Sequence, residues 1–260
     1  MRTGTALHLI SALMILACII PSSIAQQRSR PADIDESDVF RDPPSGLLPH
    51  VAALGDRGRL PGKERSVFVG QLLDDRGKSN AVKLTLQLPR LLRLEGVSPG
   101  GPPLKFDGTH SSNRTRSDES LIESLTSDSV DGMMAAIREG AAVRLVGRRV
   151  APERNRRASA TTTICDIFEV TALEPSRPAN TIRTKNYCFD SATGLLAATH
   201  YVDDSVSPPA DVETRFADWA PVDGSAYPGR MERFENGALV FSLNATTVSA
   251  SPRQDKSNFR

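Results

Sequence analysis

The sequence predicts an α+β, mostly β domain: a single strongly curved antiparallel sheet, an open β-barrel, covered by a helical segment. Three observations predict it. First, six short runs (164–172, 181–189, 195–202, 212–219, 227–235 and 238–248) are separated by turn signals such as Asp190-Ser191-Ala192-Thr193-Gly194, Pro208-Pro209, Val222-Asp223-Gly224 and Asn236-Gly237. Runs this short and closely joined read as an antiparallel meander, and Asn-Gly is a strong two-residue hairpin signal. Second, residues 82–88 alternate, with Val82, Leu84, Leu86 and Leu88 on one face and Lys83, Thr85 and Gln87 on the other. Third, the period changes to a helical one only across 117–140, so one segment has to cover the apolar face of the sheet.

In chain order, residues 1–25 read as a secretory signal peptide. Arg2 supplies the positive start, 6–20 the apolar core, and Ser23-Ile24-Ala25 the small residues of a cleavage site after Ala25. The expected destination is an oxidising compartment reached by export. The apolar run is too short for a comfortable membrane span. Ile15-Leu16-Ala17-Cys18 fits the acylated-Cys pattern poorly, because the residue two before Cys18 is large. Residues 26–63, rich in Pro, Gly, Asp and Arg, read as a disordered leader. Residues 64–251 suffice for one well-buried domain, and 252–260 form a polar tail. The 32 Lys and Arg residues nearly balance 31 Asp and Glu, and aromatic residues make up 5%. That charge balance and the scarcity of stacking platforms argue against a nucleic-acid partner.

Strands are expected at 66–73, 82–88, 91–95 and 104–108. In the helical segment Ser117 or Asp118 caps a first helix bearing Leu121, Ile122 and Leu125 on one face. Asp128 or Ser129 caps a second, with Val130, Met133, Met134 and Ile137 at helical spacing and Gly140 at its end. Gly132 weakens continuity, so one kinked helix or two satisfy the pattern. The Met pair either lines an adaptable cavity or packs as ordinary core. A strand at 141–150 follows. Then comes a basic loop, 151–160, with Arg154, Arg156 and Arg157, which is either solvated or a peripheral contact to anionic lipid headgroups.

Folding the hairpin after residue 164 symmetrically about Ser176 and Arg177 sets Ala172 opposite Thr181 and Cys165 opposite Cys188. Directly opposed residues lie within disulfide reach. Register and export signal together favour a Cys165–Cys188 bridge over two separate buried thiols. With no C-x-x-C pattern the bridge is structural.

A curved sheet closed by a helical plug leaves an apolar hollow, and its candidate lining is Leu84, Leu86, Leu88, Leu121, Ile122, Leu125, Met133, Met134 and Ile137. Catalytic motifs are absent: there is no G-x-S-x-G, no H-E-x-x-H and no phosphate-binding Gly loop. His8, His50, His110 and His200 are isolated, and His110 beside Ser111 lacks a third partner. Asp74-Asp75 and Asp203-Asp204 read as solvated turns, not metal ligands. No cofactor or metal is expected, and no enzymatic activity.

Several segments carry a family likeness. They are Leu88-Pro89-Arg90-Leu91-Leu92-Arg93-Leu94-Glu95, Phe106-Asp107-Gly108, Phe189-Asp190-Ser191-Ala192-Thr193-Gly194-Leu195-Leu196 and the Asp223-Gly224 turn ahead of Tyr227-Pro228. Across 66–250 the chain resembles the periplasmic lipoprotein-carrier superfamily, the LolA-, LolB- and RseB-like proteins. The resemblance implies a concave apolar cavity that shelters acyl chains, with helices as a lid. Its matching positions are scaffold turns, so it assigns no ligand contacts. Two function classes follow: a carrier-like binder of a lipid or acylated protein, or an envelope module that binds a protein partner.

Overall fold

The computed structural model describes residues 44–55, 64–87, 90–98, 100–108, 110–111, 115–150, 163–173, 182–253 and 255–260, all within one compact unit. The expected signal peptide, Leu88, the 151–160 loop and the turn at Ser176 and Arg177 lie outside these residues.

After a 3-10 turn, Ser45–Leu47, and a short helix α1 (Leu48–Ala53) come strands β1 (Glu64–Asp74), β2 (Ser79–Gln87), β3 (Leu91–Glu95) and β4 (Leu104–Phe106). Helices α2 (Arg116–Thr126) and α3 (Val130–Arg138) follow. Then come β5 (Ala142–Val150), β6 (Ile164–Leu173), β7 (Ile182–Asp190), β8 (Leu196–Asp203) and β9 (Ala210–Ala217). A small hairpin, β10 (Ala220–Val222) and β11 (Ser225–Tyr227), precedes β12 (Arg230–Glu235), β13 (Ala238–Pro252) and a final 3-10 turn, Lys256–Phe259. Eleven strands form one sheet in the order β4-β3-β2-β1-β13-β12-β9-β8-β7-β6-β5, with every pairing antiparallel. The sheet is open, and its two edges, β4 and β5, are consecutive strands. The α2–α3 hairpin is the link between them, so it has to cross the concave face, as the expected fold class requires.

The turn chemistry holds where it was read. Asn236 and Gly237 adopt φ 51° and 80°, Asp223 and Gly224 φ 47° and 77°, and each pair closes a two-residue hairpin. The expected strands at 212–219 and 227–235 are broken, however. Asp218 turns at φ 56°, and the Gly229 amide donates to its carbonyl at 3.0 Å, which sets the β10–β11 hairpin apart from the main sheet.

The helical segment is two helices. Thr115 caps α2 in a capping box with Asp118, earlier than expected, and Ser129 caps α3 through the Gly132 amide at 3.2 Å. Gly132 makes the corner possible: a Cβ there would sit 2.2 Å from the Thr126 carbonyl oxygen.

Cys165 and Cys188 are bridged, with Cα atoms 5.2 Å apart. The register differs from the symmetric fold. Ala172 faces Arg183, Cys165 faces Asp190 and Cys188 faces Ile167. A slip of two residues preserves facing, because side chains alternate with period two. The cysteines are therefore diagonal neighbours. Alternation places them on the convex side, opposite the inward Phe168 and Tyr187.

Two pieces outside the expected sheet are packed onto it. Helix α1 and the residues that flank it, within the stretch read as leader, bury Leu47, His50 and Leu54. The His50 ring lies 4.7 Å from Phe189 and 5.6 Å from Phe168, and its Nδ1–H donates to the Gly194 carbonyl at 3.1 Å. At the other end, within the stretch read as tail, Phe259 is buried at the outer side of β2 and β3.

Candidate functional site

The concave face is lined mostly by one apolar cluster, with an ionic patch set into it. Strand alternation turns Phe68 and Leu72 of β1, Val82, Leu84 and Leu86 of β2, Leu92 and Leu94 of β3, and Leu104 and Phe106 of β4 inward. The helical hairpin lays Leu121, Ile122, Leu125, Met133, Met134 and Ile137 into the same apolar cluster. Eight of the nine candidate cavity residues thus converge there, each no more than 5% exposed, and Leu88 lies outside the described residues.

The same cluster continues through Phe168 and Val170 of β6, Tyr187 and Phe189 of β7, Leu196 of β8, Phe216 of β9 and Met231 of β12. Set into it is an ionic patch that sequence reasoning missed, made by Arg183 and Lys185 on β7, Thr199, Tyr201 and Asp203 on β8, Thr214 on β9 and Arg233 on β12. The hairpin answers with Glu123 and Ser124 from α2 and with Asp128 from the α2–α3 connection. Arg183 pairs with Glu123 and Asp203, at 2.5 and 2.8 Å. Lys185 Nζ donates to Asp128 at 2.8 Å, and Thr214 Oγ1 donates to the same carboxylate at 2.7 Å. Arg233, 1% exposed, reaches Ser124 and Tyr201 at 3.0 Å, Asp128 at 3.5 Å and Glu123 at 3.6 Å. Arg183 and Lys185 also stack over the Tyr201 ring, 4.9 and 4.7 Å from its centroid.

Burial and charge compete here. Burial works against the Arg233 charge, yet Tyr201, Asp128, Glu123 and Glu235 around it raise its pKa. Burial, reinforced by Asp128 and Glu123, pushes the Tyr201 phenol well above its ordinary value and keeps it a donor. Burial would raise Glu235, but Arg233 together with hydrogen bonds from Arg116 and Ser120 holds it below the usual carboxylate range. An isolated buried charge costs several kcal/mol, and complementary pairing with satisfied hydrogen bonds offsets it.

Asp203, read from sequence as part of a solvated turn, is 3% exposed and belongs to this cluster. Asp128, read as a possible cap, is its hub, and Ser129 takes the capping role. The available signal was in β7: Arg183, Lys185, Tyr187 and Phe189 share one face by period two, so the aromatic pair that must be buried takes two cations with it. His110 is exposed, with Nδ1 3.7 Å from Asp107. Among the described residues no group of His, Cys, Asp or Glu is placed to hold a metal ion, and no helix is long and apolar enough to cross a membrane.

Fold and site together define a class: an open antiparallel sheet whose concavity, apolar with an ionic patch, is covered by a helical hairpin joining its two edges. Solved structures share this fold. The chain is similar to a LolA superfamily protein from Nitrosomonas europaea, at 9% identity over 82% of this chain and 97% of that one, with a TM-score of 0.54. It is also similar to a putative outer membrane lipoprotein-sorting protein domain from Vibrio parahaemolyticus, at 10% identity over 82% and 95%, with a TM-score of 0.53. The fold is LolA-like, and at such identity the likeness is one of fold alone. No protein-family model and no curated protein matches the sequence.

Proposed function

We propose that the chain is an exported, non-catalytic binding protein whose apolar inner face takes the acyl chain of a lipid or lipidated protein beneath the α2–α3 hairpin. The observation that carries this reading is that Leu84, Leu86, Leu121, Ile122, Leu125 and Met133 belong to one buried apolar cluster shared by the hairpin and the sheet. Each buried methylene contributes about 0.8 kcal/mol, so an acyl chain that replaces hairpin contacts needs no polar motif to bind. The ionic patch suits a cover that opens: lifting it exchanges ion pairs for water, and the hydration regained offsets much of the lost attraction. Gentle purification followed by solvent extraction and mass spectrometry should recover lipid, and a fluorescent fatty acid should be taken up. Absence of both would sink the proposal. Met134→Asp tests the lining, since uptake retained alongside a lowered melting temperature would assign that residue to packing alone.

A second reading has its own observation. Edge strand β5 exposes Leu145 and Val150, 54% and 55% accessible, beside Ile164 on β6 at 48%. A free edge with exposed aliphatics supports docking of a protein partner by strand addition. Crosslinking from β5 to a single stoichiometric protein, with an empty interior, would favour it over the carrier reading.

A further inference from the structure

The convex side of β1–β4 carries a feature independent of the concave interior. Register sets Lys83 opposite Glu95, Thr85 opposite Arg93, and Arg93 opposite Lys105. Like charges directly opposed across a sheet repel. The C-terminal segment folds over this surface. Asp255 caps the Lys256–Phe259 turn through the Ser257 amide at 2.8 Å, Phe259 is 1% exposed, and Arg93 donates to the Asn258 carbonyl at 3.4 Å. Between this segment and the strands remains a hollow of about 210 Å³, walled by Asn258 and Phe259 and lined by Arg65, Lys83, Thr85, Arg93 and Glu95.

Its charges do not balance. Three cations face one carboxylate, and Glu95 is engaged by Arg93 at 2.7 Å. Among the described residues Lys83 has no ion pair. An acceptor-only group with several oxygens placed in the hollow would meet the cationic side chains of Arg65 and Lys83 and the Thr85 hydroxyl that line it. An Arg fork beside a Lys point charge suits a tetrahedral oxyanion.

We infer that this hollow binds a phosphate-type oxyanion, supplied either by free phosphate and phosphate monoesters or by an anionic lipid headgroup. Titration calorimetry of the purified protein with inorganic phosphate at low salt should show a single saturable site. Lys83→Ala and Arg65→Gln should each weaken it about tenfold, the loss of one charge-assisted hydrogen bond. Arg144→Ala, on the far sheet edge, should leave it unchanged. Flotation with phosphatidylglycerol and with phosphatidylcholine vesicles separates the sources. Recruitment to the first alone, lost in Lys83→Ala, assigns a headgroup; phosphate binding without recruitment assigns the free anion. Because Lys83 makes no ion pair among the described residues, its Ala variant should melt with the parent. The inference is overturned if neither phosphate nor phosphatidylglycerol vesicles bind, or if both variants bind as the parent does.

Discussion

Replacing Asp128 by Asn keeps the side chain's shape and removes one charge from the centre of the ionic patch. Asp128 is fully buried, and its carboxylate accepts from Lys185 at 2.8 Å and Thr214 at 2.7 Å, with Arg233 at 3.5 Å. Without it, Lys185 and Arg233 share Glu123, 3.5 and 3.6 Å away. Breaking a buried ionic set by removing one partner costs about 3–5 kcal/mol, against at most about 1 kcal/mol for an exposed pair. At roughly 2–4 °C per kcal/mol for a domain of this size, the melting temperature should fall by about 6–20 °C. Urea unfolding gives the free energy directly. A loss under about 1 kcal/mol would refute the assignment of Asp128 as hub. A double-mutant cycle with Lys185→Met sharpens the test, because removing both charges should cost less than the two single changes summed, by more than about 1 kcal/mol. Additive losses would mean that the pair is not coupled. The functional arm is kinetic: if the hairpin is the cover, Asp128→Asn should admit a fluorescent fatty acid faster than the parent, and an unchanged rate would separate the clasp from the gate.

Other consequences are as specific. Gly132→Ala should destabilise by more than about 1 kcal/mol although Ala is the better helix former, because its Cβ would meet the Thr126 carbonyl and, at 2.6 Å, the Ser127 Cα; a stabilised variant in thermal melts would contradict the corner geometry. Cys165→Ala with Cys188→Ala opens a loop of 23 residues and should cost about 3 kcal/mol in the chain-entropy account. Acyl uptake should be unaffected, since the bridge lies on the convex side. Acid should act through carboxyls held low in the folded state. Glu235 is lowered by Arg233 and its hydrogen bonds against the effect of burial, and Asp166 is lowered chiefly by the hydrogen bond from Arg148. Their stabilisation is present above the unfolded carboxyl values of about 4 and is lost as pH falls through the folded ones. The urea midpoint should drop below about pH 4, and Glu235→Gln should flatten that limb.

What the sequence disclosed was whatever one segment determines alone. Alternation in 82–88, the Asp223-Gly224 and Asn236-Gly237 turns, and the helical period from Leu121 to Ile137 are local, and each element lies where it was expected. The cysteine bridge survived a wrong register because facing depends on parity, and a slip of two residues preserves parity. The ionic patch was hidden for the opposite reason. Arg183 and Lys185 sit in a strand where a cation reads as outward, and the carboxylates that permit their burial come from Glu123 and Asp128, on another element far away in sequence. Helix α1 and the seat of Phe259 were hidden similarly: each is a short apolar insertion in a polar stretch, stabilised by a surface assembled from distant strands.

On the proposed reading, the ionic patch restricts where an apolar ligand can lie. Helix α2 straddles the boundary, with Leu121, Ile122 and Leu125 turned to the apolar cluster and Glu123 and Ser124 to Arg183 and Arg233. An acyl chain laid over Arg183, Lys185 and Arg233 would have to strip charges of their partners, at several kcal/mol for each one left unpaired. Along β1–β4 every methylene gains instead. A ligand therefore competes with the hairpin for the apolar face alone. The ionic patch gives way with a small net change, because its charges recover their hydration as they part. If an acyl chain is the occupant, as proposed, the arrangement favours exchange of one apolar group for another over an empty, solvent-filled concavity.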